Sequence, residues 1–136
     1  MKRVEVVAGV IQNTQGQYLC VQRGPNKFSY IDQKFEFPGG KIEFGEDRVS
    51  ALERELCEEL DLKDVSVADA LITVEHTYPD FHLTMHAYLC KVTTNRHILK
   101  EHINSKWLNI EEMDFLDWAA ADIPILNYLQ HLNADH

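Results

Sequence analysis

Cysteine is scarce in this sequence, and its three copies are far apart. Cys20, Cys57 and Cys90 are odd in number and form no CxxC pair, so neither a disulfide framework nor a cysteine-based zinc site is indicated. Isolated cysteines of this kind are typically small buried side chains with free thiols. Free thiols are typical of a reducing compartment, and we therefore expect a cytoplasmic protein.

Positive charge is also in short supply. The 136 residues include 13 Lys and Arg against 22 Asp and Glu, which gives a formal net charge of −9. A nucleic-acid duplex or an anionic membrane surface would require a basic face, so we expect neither as a partner. An acidic enzyme can still bind a small phosphorylated molecule, because divalent metal ions supply local positive charge.

Long hydrophobic runs are missing as well. No apolar stretch approaches the ~20 residues of a transmembrane helix, and the first residues lead directly into an alternating strand pattern rather than a signal peptide. With 45% hydrophobic and 26% charged residues and no repeat or linker, the sequence predicts one globular domain over residues 1–136. The oligomeric state, monomer or homodimer, stays open.

The order of the predicted elements favours an α/β fold with one mixed sheet between helices. Residues 4–11 have apolar side chains at both odd and even positions, which predicts a central strand, and residues 18–23 predict its antiparallel partner. Residues 24–33 have turn signals and no period, which is typical of a loop at the mouth of a site. The other predicted strands are 35–37, 65–76, 81–92 and 107–110, and the predicted helices are 47–60 and 123–132.

Three glutamates stand together on the first predicted helix. Glu55, Glu58 and Glu59 are spaced i, i+3 and i+4, so they share a face with Cβ atoms about 5–6 Å apart. Carboxylates this close repel one another unless a cation lies among them. Taken alone, such a cluster is more often a solvated acidic face than a metal site. The packing side of the helix is predicted beside it, as an apolar stripe of Val49, Leu52, Leu56 and Leu60.

The residues around this cluster form a specific pattern. Gly40 is followed after five residues by Glu46, and after seven more by Arg54-Glu55-Leu56-Cys57-Glu58-Glu59-Leu60-Asp61-Leu62. The pattern resembles the signature box of the Nudix hydrolases, with one departure at Asp61, where the family has a helix-closing glycine. Residues 36–43, 78–80 and 120–124 are similar to the MutT subfamily and to its CTP-hydrolysing relatives. The resemblance covers nearly the whole chain and implies the Nudix α/β/α sandwich.

The resemblance also implies a metal site. Its predicted ligands for Mg²⁺, with Mn²⁺ as a substitute, are the Gly39 carbonyl and the carboxylates of Glu55, Glu58, Glu59 and Glu101. Arg54 and Glu46 resemble the family's structural ion pair, which orients the helix. Either Glu55 or Glu101 would take the proton of the attacking water, and the choice between them stays open.

Five further residues resemble substrate contacts of the family. Arg23 is similar to its phosphate contact, Lys41 is a second candidate, Phe35 and Tyr78 are candidates for stacking on a base, and Asp122 falls at a base-reading position. Each has a structural alternative, as a surface cation, a core aromatic or a helix N-cap. An ionised Asp122 would favour a base that offers N–H donors, such as cytosine or an oxidised guanine.

These features predict a Mg²⁺-dependent nucleoside triphosphate pyrophosphohydrolase of the MutT type. It would convert an NTP or dNTP and water to a monophosphate and pyrophosphate, in a nucleotide-sanitation role linked to DNA repair, with 8-oxo-dGTP or (d)CTP-type nucleotides as candidate substrates. One alternative is a hydrolase of dinucleoside polyphosphates or ADP-sugars, for which Tyr78-Pro79 is a weak marker. Another is a non-catalytic Nudix-fold nucleotide sensor, although such modules usually lose the box glutamates that this chain retains.

Overall fold

The computed structural model describes residues 1–134 as a seven-stranded sheet with two α-helices and two 3₁₀ turns. The strands are β1 (Lys2–Gln12), β2 (Tyr18–Arg23), β3 (Phe35–Glu36), β4 (Gly39–Lys41), β5 (Ser66–Thr77), β6 (Phe81–Lys91) and β7 (His102–Leu108). The helices are α1 (Arg48–Leu60) and α2 (Ile123–Ala134), and the 3₁₀ turns are Ile110–Phe115 and Ala120–Asp122. None of the helices in this part of the chain is long and apolar enough to cross a membrane.

The sheet is mixed, as the sequence predicts. Its main order is β3-β2-β1-β6-β5, while β4 pairs with β1 and β7 pairs with β2. β1 and β6 are parallel over their whole length, whereas the other paired strands are antiparallel. β1 is therefore the central strand, which explains why its side chains are apolar on both parities.

The two helices cover opposite faces of this sheet. Successive side chains of β1 alternate between the faces, and Val7 and Ile11 pack in one buried cluster with α1. Ala8 and Val10 belong to a second cluster, which contains the buried residues of α2. The predicted α/β class and sandwich arrangement are confirmed.

Helix α1 has a defined residue at each end. The Asp47 side chain accepts a hydrogen bond from Ser50 N at 2.7 Å, which caps the start of the helix. At the other end Asp61 adopts a left-handed conformation, with φ 57° and ψ 29°, and its N–H donates to Cys57 O at 3.0 Å. Aspartate therefore closes the helix at the position where the family pattern has glycine.

Two details of the predicted elements are wrong. Val49 lies in the first turn of α1 and is 39% exposed, so the packing stripe consists of Leu52, Leu56 and Leu60. The strand predicted at residues 107–110 begins earlier and ends earlier, because β7 pairs along β2 from His102 to Leu108. Its polar residues concealed the strand pattern, since side chains at the edge of a sheet need not be apolar.

Candidate functional site

Two cavities share a wall at the end of strand β2. The larger, about 390 Å³, lies against the central strands and is lined largely by apolar side chains, with Asp122 and Tyr78 on one side. The smaller, about 230 Å³, is polar and includes Glu59, Glu101 and His102. Arg23 and Glu36 line both cavities. A volume of 300–1,000 Å³ is typical of small-molecule pockets, so the larger cavity is a candidate ligand site with a charged neighbour.

The glycine pair on β4 allows the strand to lie directly against its neighbours. A Cβ at Gly39 would fall 1.9 Å from the Val7 carbonyl oxygen, and a Cβ at Gly40 would fall 2.3 Å from the Glu55 carboxyl carbon. At Gly39 no other residue type fits without moving the backbone, whereas at Gly40 a side chain would displace the Glu55 carboxylate. The two glycines thus bring the backbone of β4 against the acidic face of α1.

Arg54 organises the carboxylates along α1. Its guanidinium donates twice to Glu46, from Nε at 2.6 Å and from Nη2 at 2.9 Å, and Nη2 also donates to Lys41 O at 2.9 Å. The hydrogen bonds from Arg54 lower the pKa of Glu46 to about 2. Nη1 donates to Glu55 at 2.9 Å and to Glu58 at 3.2 Å. One cation therefore ties the loop before α1 and the β4 end to the helix.

Glu59 is buried without a matching cation. It is 8% exposed, and its Oε2 has no hydrogen-bond partner within residues 1–134. Burial above all, together with the neighbouring charges of Glu55, Glu101 and Glu36, raises the pKa of its carboxyl to about 9. A buried acceptor surrounded by other carboxylates has the electrostatics of a site for a hard cation.

The predicted metal ligands are near one another but do not form a ready-made cluster. Among residues 1–134, no group of three His, Cys, Asp or Glu side chains is arranged to hold a metal ion. Arg54 draws the carboxylates of Glu55 and Glu58 to itself, and Glu101 is an exposed residue on the wall of the smaller cavity. The predicted ligands still fit Mg²⁺, because all of them offer oxygen atoms and Oε2 of Glu59 has no hydrogen-bond partner within residues 1–134.

Glu36 holds two side chains at the shared wall. Its Oε1 accepts from Arg23 Nε at 2.5 Å, and its Oε2 lies 3.2 Å from His102 Nε2. Burial alone would raise the pKa of Glu36, but the hydrogen bond from His102 and the charge of Arg23 outweigh it and lower that pKa. The charge of Glu36 in turn raises the pKa of Arg23. Glu36 is thus an ionised carboxylate in a largely, but not fully, buried position.

Asp122 is buried beside the larger cavity and does not cap helix α2. Its Oδ1 accepts from the backbone N–H of Phe37 at 2.9 Å, across 85 positions of sequence. Burial, and next the charge of Glu36, raise the pKa of Asp122 well above the ordinary value. Burial beside another acid thus favours the protonated form of Asp122, which can donate as well as accept, over the ionised form, which only accepts.

Tyr78 and a neighbouring loop form the far side of this cavity. The Tyr78 hydroxyl accepts from Ala121 N at 3.0 Å, and its ring stacks on Tyr30 with centroids 5.0 Å apart. Tyr30 in turn hydrogen-bonds to Asp80. Phe28, from the same loop as Tyr30, lines the cavity, so the loop predicted at residues 24–33 lies at the mouth.

Phe35 is not among the residues that line the cavity, and Phe37 is. The backbone of Phe35 pairs with residues 117–119, through Phe35 N to Asp117 O at 2.8 Å and Ala119 N to Phe35 O at 2.9 Å. That pairing places the Phe35 side chain in the core, and we withdraw the interpretation that it stacks on a base. Lys41, at the end of β4, does line the cavity.

Sequence reasoning missed Phe37, Glu36 and His102. The one signal for Glu36 was the alternation Phe35-Glu36-Phe37, which is typical of a half-buried strand and places Glu36 on the face opposite the two aromatic residues. No comparable signal existed for His102, because its contact with Glu36 joins positions 66 residues apart.

The sequence matches the NUDIX domain family over residues 7–128. Since this match spans most of the chain, the protein belongs to the NUDIX domain family.

Individual relatives extend the similarity to nearly the full length. The chain is 29% identical to an 8-oxo-dGTP diphosphatase of Escherichia coli, over 97% of this chain and 100% of the relative. It is 33% identical to the CTP pyrophosphohydrolase of the same organism, over 98% of this chain and 96% of the relative. Among solved structures, the Escherichia coli ORF135 protein superposes with a TM-score of 0.82 at 32% identity, over 100% of this chain and 94% of that chain.

Proposed function

We propose that the protein is a MutT-type nucleoside triphosphate pyrophosphohydrolase that acts on small nucleotides in the cytoplasm. The observation that carries the proposal is the junction of a base-sized apolar cavity with a carboxylate-rich polar cavity at Arg23. A base would occupy the first cavity and the phosphate chain would extend into the second. The similarity to relatives named 8-oxo-dGTP diphosphatase and CTP pyrophosphohydrolase supports the same reaction class.

The proposed cofactor is Mg²⁺, with Mn²⁺ as a substitute. The residues that would hold it are the Gly39 carbonyl and the carboxylates of Glu55, Glu58, Glu59 and Glu101. When bound there, a divalent ion neutralises the phosphate chain and makes water a stronger acid. The unpaired oxygen of Glu59 supports this assignment, because burial without a cation raises the pKa of its carboxyl, and a bound divalent ion would stabilise the charged form.

The chain's own residues position and deprotonate the reacting groups. Arg23 contacts the phosphate chain, and the bidentate Arg54–Glu46 pair fixes the helix that carries the acids. A carboxylate oxygen of Glu55 or of Glu101 accepts the proton of the water that attacks the internal phosphorus. The products are a nucleoside monophosphate and pyrophosphate.

Asp122 is the proposed reader of the base. A protonated carboxyl both donates and accepts, and Phe37 N–H already occupies a lone pair of Oδ1. Its O–H donor suits a base acceptor such as O6 of guanine or N3 of cytosine. The candidate substrates are therefore 8-oxo-dGTP and (d)CTP-type nucleotides, in a role that removes unwanted nucleotides from the pool.

The test is a substrate panel with saturating Mg²⁺: 8-oxo-dGTP, dGTP, CTP, dCTP, 5-methyl-dCTP, diadenosine polyphosphates and ADP-ribose. We expect pyrophosphate release from one or more triphosphates at a kcat/KM well above that for the dinucleotides. Preference for a diadenosine polyphosphate or ADP-ribose would contradict the proposal, and nucleotide binding without hydrolysis would instead support a sensor.

A further inference from the structure

Glu36 lies where three neighbouring strands meet. It belongs to β3, which pairs with β2 through Val21 and Glu36, and β2 pairs on its other side with β7 through Arg23 and His102. The register thus brings one side chain from each strand to a single point, Arg23 from β2 and His102 from β7.

The two oxygens of the Glu36 carboxylate are divided between these neighbours. Arg23 Nε donates to Oε1 at 2.5 Å, and His102 Nε2 lies 3.2 Å from Oε2. An ionised carboxylate only accepts, so Nε2 must be the donor in the second contact. The carboxylate cannot rotate without losing one of the two donors.

The three side chains differ in how firmly the protein holds them. The side chain of His102 is 5% exposed and that of Glu36 is 13% exposed, whereas that of Arg23 is 48% exposed. Arg23 is therefore a long, half-solvated side chain whose ion pair within residues 1–134 is with Glu36. The order of burial indicates a chain of support that runs from His102 through Glu36 to Arg23.

We propose that His102 is a positioning residue that fixes Glu36 and, through it, aims the Arg23 guanidinium at the phosphate chain. The inference rests on the proposed function, because Arg23 is the proposed phosphate contact. Without His102, one oxygen of Glu36 loses its donor while Glu59 and Glu101 line the same cavity. With one oxygen no longer held, the Glu36 side chain can adopt other rotamers, and Arg23 loses its fixed orientation.

The expected kinetic effect is on substrate binding. A mobile Arg23 must be ordered each time a nucleotide binds, which costs affinity. If Arg23 contacts the phosphate chain equally in the ground state and the transition state, KM rises and kcat stays nearly constant. A general loss of structure would not produce this division.

Three substitutions of His102 test the contact. His102→Gln places an amide nitrogen near the position of Nε2, whereas the shorter His102→Asn does not reach Glu36. We expect His102→Ala and His102→Asn to raise KM about 10-fold or more, the usual loss for a supporting partner, and His102→Gln to restore most of the affinity. Equal KM values for the Gln and Asn variants would overturn the proposal.

A double variant tests whether His102 acts through Arg23. When two residues act on one contact, their effects do not add. We expect Arg23→Gln with His102→Ala to have nearly the KM of Arg23→Gln alone. Effects on KM that multiply would show that His102 acts independently of Arg23 and would overturn the proposal.

The matched control is His86→Ala. The side chain of His86 is 7% exposed, and its Nε2 lies 2.8 Å from Oε2 of the half-exposed Glu5, so it is a buried histidine paired with a glutamate outside both cavities. We expect this variant to lose stability while its KM stays at the wild-type value. A rise in KM equal to that of His102→Ala would make the effect general and would overturn the proposal.

A readout without turnover separates this inference from the proposed function. The Nε–Hε signal of Arg23 in ¹H–¹⁵N NMR spectra of the free protein should show the hydrogen bond to Glu36 in wild type, in His102→Gln and in His86→Ala. We expect it to move to the position of a free arginine in His102→Ala. An unmoved signal would overturn the positioning role, whereas absent hydrolysis by the wild type would overturn the proposed function alone.

Discussion

The two walls of the smaller cavity each bury one glutamate, and they partner it in opposite ways. On the wall formed by β2, β3 and β7, here called the strand wall, Glu36 has Arg23 and His102 as donors, and the pKa of Glu36 is lowered. On the wall formed by α1, here called the helix wall, Glu59 has an unpaired oxygen and three acidic neighbours, and the pKa of Glu59 is raised to about 9. Both side chains are largely removed from solvent, and the difference lies in the positive charge that surrounds them.

This contrast separates two roles that a carboxylate can have in one site. Glu36 is satisfied by the protein and serves as a fixed anchor for Arg23, the proposed phosphate contact. Glu59 is left unsatisfied by the protein, as expected for a residue whose partner is a bound ion. The helix wall therefore carries the proposed chemistry, and the strand wall carries the proposed alignment of the phosphate chain.

The largest effect is expected when the helix wall loses its buried charge. Glu59→Gln should lower kcat by about 10²–10³-fold, the size of effect seen when one electrostatic group is removed from an active site. The measurement is steady-state hydrolysis at saturating Mg²⁺ and nucleotide. Glu53→Gln, at an exposed position on the same helix, is the control and should retain the wild-type kcat; a fully active Glu59→Gln would remove Glu59 from the metal set.

The two walls should respond with opposite sign when stability is measured in EDTA. At pH 7, Glu59→Gln should raise the free energy of unfolding by about 2 kcal/mol, because it removes an acid whose folded pKa is raised. Glu36→Gln should lower it by about 1.5–3 kcal/mol, because an amide cannot accept from both donors. Urea denaturation of the two variants checks both signs, and the same sign for both would break the comparison.

The pH dependence of these differences follows from the two pKa shifts. A carboxyl whose folded pKa is raised destabilises progressively above its unfolded value, so the advantage of Glu59→Gln should grow from about pH 4.5 to about pH 9. A carboxyl whose folded pKa is lowered stabilises above its unfolded value, so the deficit of Glu36→Gln should shrink as the pH falls below about 4.5. Mg²⁺ should stabilise wild type more than Glu59→Gln.

Asp122 extends the comparison to a third buried acid, whose visible partner is a backbone N–H. A protonated Asp122 resembles an amide in offering both a donor and an acceptor. Asp122→Asn should therefore keep most of the kcat/KM for the preferred base, and Asp122→Ala should lose about 10-fold, roughly one hydrogen bond. Equal losses in both variants would indicate that the ionised form reads the base.

The smallest effect is expected for an acid that is not buried in either wall. Asp61 ends α1 in a left-handed conformation, and its carboxylate is 3.6 Å from Lys63 and 3.8 Å from Lys100. Asp61→Gly relieves the backbone cost of that conformation and should raise the free energy of unfolding by up to about 1 kcal/mol. Thermal denaturation measures the gain, and kcat and KM should not change.

The helix wall could be predicted from the sequence because its residues are local. Glu55, Glu58 and Glu59 are neighbours on a helical surface for any helix of this register, and the left-handed end at Asp61 follows from its place after the last turn. The positions of the strands were predictable where apolar residues alternate, as in β5 and β6. β7 was misplaced because its polar residues hide the period.

The strand wall could not be predicted, because it depends on pairing between distant segments. The contact of Glu36 with Arg23 and His102 needs the β3-β2-β7 register, which no local pattern gives. Phe37 lines the cavity in place of Phe35 because the backbone of Phe35 pairs with residues 117–119. The raised pKa of Asp122 depends on tertiary burial, which a sequence pattern does not determine.

The most direct measurement of the central claim is product analysis by ³¹P NMR in ¹⁸O-labelled water, with 8-oxo-dGTP and CTP as substrates and with Mg²⁺ or EDTA. The account predicts a nucleoside monophosphate and pyrophosphate, with ¹⁸O incorporated once per turnover, and no reaction in EDTA. Release of inorganic phosphate with a nucleoside diphosphate, or equal turnover in EDTA, would contradict it.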